Sequence, residues 1–500
     1  MHIGEVFNEI YDTSVGWRPA SGSIKPVHVA NGLLRTISGR RYNIEKIARF
    51  LIAHKQGGMP DPDRTFESLG KDRDFANVLG NLAHDRSGFE RTRRYAKGLL
   101  AADKAVFPSA SASSLSLTCG LMVSGDYNDR GLGSYGGSLI SIGDGRLGRL
   151  LKESLELERP QDPITTLAWP LLADRDGYAV SEAAHAGFLK RAHNKEFMEQ
   201  ISAAADCLAT HTINAKDPLR LVQRAVHFVC VATFVHAQAL AGRGKLDRRP
   251  PTLLVSGAAK GSELAIASEK SLTCTLNGFQ GWLVDELESR IAKGKPLVRD
   301  EAIDESKLED GRSIRAILRG IGTAKARHAP PSEKEMDERF QIFSTIRKQY
   351  RDQGGARVLA QALMEMYLQE YESGGPQSFL LTLGRKCGFL YPHFQGRSRE
   401  KRAMPNARVL EMIVKACVPR GEALSFDAFL ERLWKRFGCV VGGRLTEDWS
   451  DADVLAEHGI DVEIEVLAAN TECFVDELVA MGLARRYPDG VTFVGDSYGG

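Results

Sequence analysis

Much of what would place a protein at sight is missing from these 500 residues. None of the eight cysteines (Cys119, Cys207, Cys230, Cys274, Cys387, Cys417, Cys439, Cys473) sits in a CxxC pair, and no histidine cluster stands beside them at ligand spacing. That argues against a zinc site or a disulfide framework. Most of these cysteines lie in apolar helical contexts, as buried thiols do in a reducing cytosol. No glycine-rich run ends in GKS or GKT, and Gly131-x-Gly133 lacks a third glycine in register, so neither phosphate-binding fingerprint is present. The most apolar window, Val226–Leu240, is about 15 residues long and broken by His227, His236 and Gln238, short of the ~20 a bilayer span needs. Met1–Phe7 has no basic stretch followed by an apolar run, so it does not read as a signal peptide. There is no internal repeat and no low-complexity tract. The expectation is a cytoplasmic chain with no membrane segment.

Net charge is also nearly absent, at +2 overall. Its distribution is uneven. Residues 405–500 hold 9 Lys and Arg against 17 Asp and Glu, a net of −8, which leaves the preceding 404 residues at +10. A basic body with an acidic tail fits a nucleic-acid contact on the body. It also fits a protein whose two parts attract each other.

What is present is mostly helical periodicity. Capping and breaker residues predict helices over Ile44–His54, 75–101, Arg146–Leu157, Glu182–Ala192, Lys195–Thr210, Pro218–Ala241, Glu263–Ala292, Glu333–Gln353 and Ala356–Glu372. Between Phe107 and Gly145 the character changes to Ser and Gly. There Leu115–Val123 alternates as a strand does, and Gly137–Ile142 does so less clearly. Thr252–Ser256 reads as one more short strand.

The tail has the clearest pattern. Asn406–Cys417 carries Val409, Leu410, Ile413 and Val414 on one face. Ser425 caps Phe426–Phe437, whose apolar stripe is Phe426, Phe429, Leu430, Leu433 and Phe437. Trp449–His458 and Val462–Ala469 add helix. Thr471 is placed to cap a last helix that Gly482 stops, and Asp489-Gly490 makes a tight turn between Leu483–Tyr487 and Val491–Val494. Helix followed by hairpin is how winged-helix domains end, and residues 405–500 resemble that superfamily. The resemblance implies a reading helix before the wing. Here that helix carries Glu472, Asp476 and Glu477, which are costly among phosphates. It therefore implies protein docking ahead of DNA reading, with Arg485 and Arg486 of the wing as backbone contacts.

Two basic stretches stand out in the body. Gly384–Arg402 holds six cations (Arg385, Lys386, Arg397, Arg399, Lys401, Arg402) against one Glu, interleaved with Phe389, Tyr391 and Phe394. Cations neutralise phosphates and exposed aromatics stack on unpaired bases; the same pattern also arises from core aromatics beside a solvated loop. In the second stretch, Arg312, Arg315 and Arg319 are three and four apart and share one helical face, free for phosphate or for the acidic tail.

Catalytic candidates lack context. Glu305-Ser-Lys307 with Asp285 or Asp300 matches the end of a nuclease motif, but such a site needs its acids on adjacent strands and the surroundings read as helix and linker. His84-Asp85 stands alone. His193-Asn-Lys195 lacks a downstream Asp. His227 and His236 are nine apart and do not share a helix face. Ser256–Ser262 follows a strand and precedes a helix, which reads as a turn and helix cap, with an anion on the backbone amides of Gly257–Gly261 as the alternative.

The sequence thus predicts a mainly α, multi-domain protein. Its parts are an N-terminal helical region (1–106), a Gly/Ser-rich region with short strands (107–160), a central helical domain (161–300), a basic helical region and connector (301–404), and a winged-helix-like domain (405–500). No metal or cofactor is expected. The expected function is a non-catalytic DNA-associated component of a larger prokaryotic assembly, of the genome-defence (antiviral) or restriction type. The basic body would contact nucleic acid, and the tail would dock a partner such as an ATPase or nuclease subunit. The alternatives are a protein-only scaffold and a metal-dependent nuclease.

Overall fold

The computed structural model describes residues 3–19, 24, 26–38, 54–56, 59–61, 114–118, 121–124, 131–154, 186–211, 218–293, 310–322, 330–370, 375–393, 401–443 and 450–495. The molecule is mostly helical with a few short strands. The elements of the first half are α1 (Ile3–Ile10), α2 (Pro26–Ser38), β1 (His54–Gln56), β2 (Met59–Asp61), β3 (Ser114–Thr118), β4 (Leu121–Ser124), α3 (Leu132–Ile140), α4 (Arg146–Ser154), α5 (Lys195–Thr210) and α6 (Pro218–Ala241). There follow β5 (Thr252–Leu253), α7 (Glu263–Ala292), α8 (Gly311–Gly320), α9 (Glu333–Gln349), α10 (Gly355–Glu370), α11 (Pro376–Cys387), β6 (Leu390–Tyr391) and β7 (Arg402–Ala403). The tail comprises α12 (Ala407–Cys417), β8 (Ala423–Ser425), α13 (Phe426–Phe437), β9 (Cys439–Val440), α14 (Asp451–Glu457), α15 (Ile464–Ala480), β10 (Ala484–Arg486) and β11 (Thr492–Gly495).

Helix α6 is the hub. It packs against α2, α3, α4, α7, α11 and α12. Its stretch from Arg220 to Ala241 is long and apolar enough to cross a membrane by composition alone, yet 94% of its most apolar window is buried inside the protein. Apolar residues all around a helix mean that every face has a protein neighbour. Several polar side chains within it find partners, although Gln238 Oε1 and Arg224 Nε make no hydrogen bond among the described residues. His236 is fully buried, accepting from the Tyr135 hydroxyl at Nδ1 (3.0 Å) and donating from Nε2 to Asn194 Oδ1 (2.9 Å). Phe197 stacks on the imidazole, with ring centres 4.4 Å apart. Asn194 in turn donates to the carbonyls of Ser14 and Phe188. Burial then drives the His236 pKa down to about 3, with His193 adding to the effect, so this imidazole stays neutral.

Several local expectations change. Gly137–Ile142 is not a strand: Gly137 through Ile140 belong to α3. A Cβ at Gly136 would come 2.5 Å from Val229, and one at Gly137 2.6 Å from Thr36. The glycines let α3 press on α6 and α2, a requirement that period-2 alternation mimics. The described part of 182–192 forms short 3-10 turns, Ala186–Lys190 and Ala192–Asn194, rather than an α-helix. Thr471 is not a cap but lies inside α15, where its hydroxyl donates to the Leu467 carbonyl. Gly384–Cys387 belongs to helix α11, so the first part of the basic connector is not a loop. Leu115–Val123 does form strands, the antiparallel pair β3–β4. Of the predicted helix Ile44–His54, only His54 is described, and it starts β1. The predicted helix 75–101 and the pair His84-Asp85 lie outside the described residues.

The tail is built into the body. Strands β10, β11 and β8 form an antiparallel sheet in that spatial order. Ser425 caps α13 as expected, and Gly482 ends α15 with φ +70°. Strand β9 pairs in parallel with β5 of the body (Thr252↔Cys439, Leu253↔Val440), and Leu254 N donates to Val440 O. On its other side this strand continues to β7 through Val255 N to Ala403 O at 2.9 Å, and β7 pairs with β6. Backbone bonds therefore run β6–β7–β5–β9 from the basic segment into the tail. Asn470 of α15 locks the seam. It donates to Leu254 O (2.9 Å) and Val441 O (2.7 Å) and accepts from Ser256 N (3.0 Å). Among the described residues one core cluster spans Ile3 to Val494, and a second gathers body and tail residues at this seam, including Leu253, Val440 and Leu467.

Candidate functional site

The structure gathers part of the first basic stretch around β6 and β7. Arg385 and Lys386 lie in the last turn of α11, where cations complement the helix dipole. Lys386 is committed inward, donating to the Ile24 carbonyl at 2.8 Å. Tyr391 and Arg402 are direct cross-strand partners, and the guanidinium lies over the phenol ring 4.6 Å from its centre. Arg402 is buried at 6% exposure, and its Nε makes no hydrogen bond among the described residues. It therefore backs the Tyr391 ring and is poorly placed to reach a phosphate. Tyr391 itself is 37% exposed, with His393 meeting it edge-on at 5.5 Å. The His393 Nδ1–H donates to Leu390 O at 3.0 Å; burial lowers its pKa and that bond opposes the shift. Phe389, by contrast, is core.

Lys401 enters β7 beside this pair. Its ammonium pKa is lowered by burial and by the charge of Arg385, against the pull of Glu269. Arg397, Arg399 and Phe394 lie outside the described residues.

Four of the other predicted cations, Arg315, Arg319, Arg485 and Arg486, have protein partners. Arg315 pairs with Asp337 of α9 at 3.3 Å and covers the Phe340 ring at 4.3 Å. Arg319 pairs with Glu333 at 2.6 Å. Arg312 is exposed at the start of α8, which Asp310 caps. In the tail, Arg485 covers Tyr487 at 5.1 Å. Arg486 is held by two carboxylates of α15, Glu472 at 2.5 Å and Asp476 at 3.6 Å. Glu477 of the same helix accepts from the Ser256 hydroxyl at 2.6 Å.

Catalytic groupings are weaker still. Glu305, Lys307 and Asp300 lie outside the described residues, and Asp285 is occupied by Arg243 and Arg357. Among the described residues no three His, Cys, Asp or Glu side chains come together as metal ligands. Their cysteines are free thiols. Gly257 and Gly261 adopt positive φ and lead into the Ser262 cap of α7, the expected turn and cap. A cleft of about 650 Å³ lies beside α5, lined among others by Leu189, Lys190, Arg191, Met198, Glu199 and Asp206. Burial and Asp144 raise the Asp206 pKa. No histidine or cysteine lines this cleft, so it holds no nucleophile–base pair of that kind.

Sequence reasoning missed Asn470 and the Tyr391–Arg402 pairing. Both depend on partners far away in sequence or on two-residue strands, which leave no periodic signal. Comparison with known protein families, curated proteins and solved structures found no match.

Proposed function

We propose that this protein is a non-catalytic, nucleic-acid-associated component of a larger prokaryotic assembly. The observation that carries this is the β6–β7 pair, where Arg402 lies over the exposed Tyr391 ring in a segment that also contains Arg385 and Lys401. Aromatic rings interleaved with cations are the general chemistry of nucleic-acid contact.

In this proposal the tail is a winged-helix domain used for docking. Its element order, with the first strand pairing on the far side of the hairpin, supports that topology. The pairing of Arg486 with Glu472 and Asp476 supports docking over DNA reading, because the wing cation is already neutralised and the helix before it remains acidic. A partner such as an ATPase or nuclease subunit, a cytoplasmic setting and a genome-defence role belong to the same proposal.

A protein-only scaffold is the second reading, favoured by the ion pairs of Arg315 and Arg319 with α9. The two separate by salt-dependent binding of full-length protein to nucleic acid. A scaffold shows none.

A further inference from the structure

We propose that the seam between α6 and α12 is a site for a nucleic-acid backbone, in which Arg220, Arg224, Arg408 and Lys415 line a track for phosphates. This rests on the nucleic-acid reading above and gives its backbone contact a second surface, at the join of body and tail.

The seam is organised around one carboxylate. Glu411 Oε1 accepts from Lys415 Nζ at 2.8 Å, from Arg224 at 2.7 Å and from Arg220 at 3.0 Å. Three cations therefore converge on a single oxygen atom. Helix α6 contains no acidic residue, and α12 contains none besides Glu411. The two helices run antiparallel. Arg220 and Arg224, near the start of α6, meet Glu411 toward the middle of α12. Further along α6, Phe234 meets Phe389, whose neighbour Gly388 accepts from the Asn406 amide at the start of α12. Arg408, three residues before Glu411 and on the same helix face, thus comes alongside His227, three residues after Arg224. The His227 pKa is lowered to about 4 by burial and then by Arg408, so this imidazole is neutral and adds no charge. The two helices bring four cations and one carboxylate to the seam.

An ion pair that only fastened the helices would need one cation for its carboxylate. Here the field is one-sided: burial opposes the ionisation of Glu411, yet Lys415 and Arg224 hold its pKa at about 2. Arg224 and Lys415 are largely covered, whereas Arg220 and Arg408 are exposed toward the two ends of the seam. The shape narrows the ligand. Residues seven apart on a helix are separated by about 10 Å, so the charges form a line and not a cup. A lone phosphate meets one part of such a line, and a chain of phosphates meets all of it. The aromatic residues of these helices, Phe228 and Phe234, are buried. The track therefore offers bases no stacking surface and takes single strand and duplex alike.

The test uses full-length protein and fluorescence anisotropy over a salt series. The probes are a labelled oligothymidylate of about 20 nucleotides and two duplexes of the same length and unrelated sequence. Arg220→Ala with Arg408→Ala is expected to lower the slope of log affinity against log salt by about 1.8 on duplex and about 1.4 on single strand. Both duplexes should weaken equally. Arg220→Lys with Arg408→Lys should keep the wild-type slope. Thermal melts show whether the variants are folded. If the alanine pair melts below wild type, Arg220→Gln with Arg408→Gln, which keep more of each side chain over the seam, replace it with the same expected slopes. Binding that keeps the wild-type slope in the neutral pair overturns this inference while leaving nucleic-acid association intact. So does inorganic phosphate that displaces the probes at an ionic strength where chloride does not, which marks a small-anion site. No binding to any probe at low salt overturns both.

Discussion

The side-chain amide of Asn470 donates to the backbone carbonyl of Leu254 at 2.9 Å, joining the last long helix to a strand formed 216 positions earlier. The same amide reaches Val441 O, and its oxygen takes Ser256 N. Asn470 is 2% exposed; its bonds to Leu254 O and Val441 O are buried and the one from Ser256 N is part-buried. Replacing it with Leu leaves these backbone groups without their side-chain partner, at about 1–3 kcal/mol for each buried group left unsatisfied. We expect Asn470→Leu to cost about 3 kcal/mol or more in urea unfolding. A change of under about 0.5 kcal/mol, the range of ordinary surface substitutions, means that the clamp does not hold the seam.

The tail should not come off cleanly. Ending the chain at residue 404 removes β9 from the edge of β5 and strips α5 and α6 of their packing against α12 and α13. Exposed strand edges and uncovered apolar helix faces drive aggregation. The expected product is insoluble or loses a cooperative melt. A soluble fragment melting in a single sharp transition contradicts the continuous core.

Acid should weaken the protein from mildly acidic pH. His236 has its pKa lowered to about 3 by burial, and His227 to about 4 by burial and by Arg408, against ordinary values of 6.5. Below pH 6.5 the unfolded chain takes up protons that the folded chain refuses. The stability these neutral imidazoles confer is therefore complete above pH 6.5 and falls as pH drops toward the folded values. Each group gives a slope of at most about 1.4 kcal/mol per pH unit. Glu411 adds a later loss. Burial opposes its ionisation, but Lys415 and Arg224 hold its pKa at about 2, so its contribution declines as pH falls from 4.5 toward 2. Urea midpoints measured from pH 7.5 to 4 should drop steadily, and less steeply in His236→Gln. A flat profile above pH 4.5 refutes the assignment.

Freeing the wing cation should change its behaviour toward phosphate. Glu472→Ala with Asp476→Ala removes both carboxylates from Arg486. The expected result is stronger nucleic-acid binding with a salt slope steeper by about one unit, the signature of one added phosphate contact. An unchanged slope means that the wing does not face nucleic acid even when its charge is released.

How much of this was legible depended on sequence distance. Helices α5, α6 and α7 begin and end where local signals put them, because capping residues and breakers act within a turn. The Ser425 cap and the Gly482 stop were visible for the same reason. Thr471 misled because a cap-like residue also fits inside a helix when its hydroxyl can bond the preceding turn. Gly137, read as the start of a strand, misled because it serves a tertiary approach. At the site, the spacing of Arg312, Arg315 and Arg319 was readable, but Asp337 and Glu333, which engage two of them, come from the next helix. The burial of Arg402 was hidden too, since its strand is two residues long and its cover is assembled from β5, α7 and β6.

The most direct test of nucleic-acid association is the salt dependence of binding by full-length protein, compared with Arg385→Ala/Lys401→Ala. The account predicts measurable affinity at low salt that falls steeply as salt rises, and a shallower slope in the double variant. No retention of single-stranded or duplex nucleic acid at low salt contradicts it and leaves a scaffold that binds protein alone.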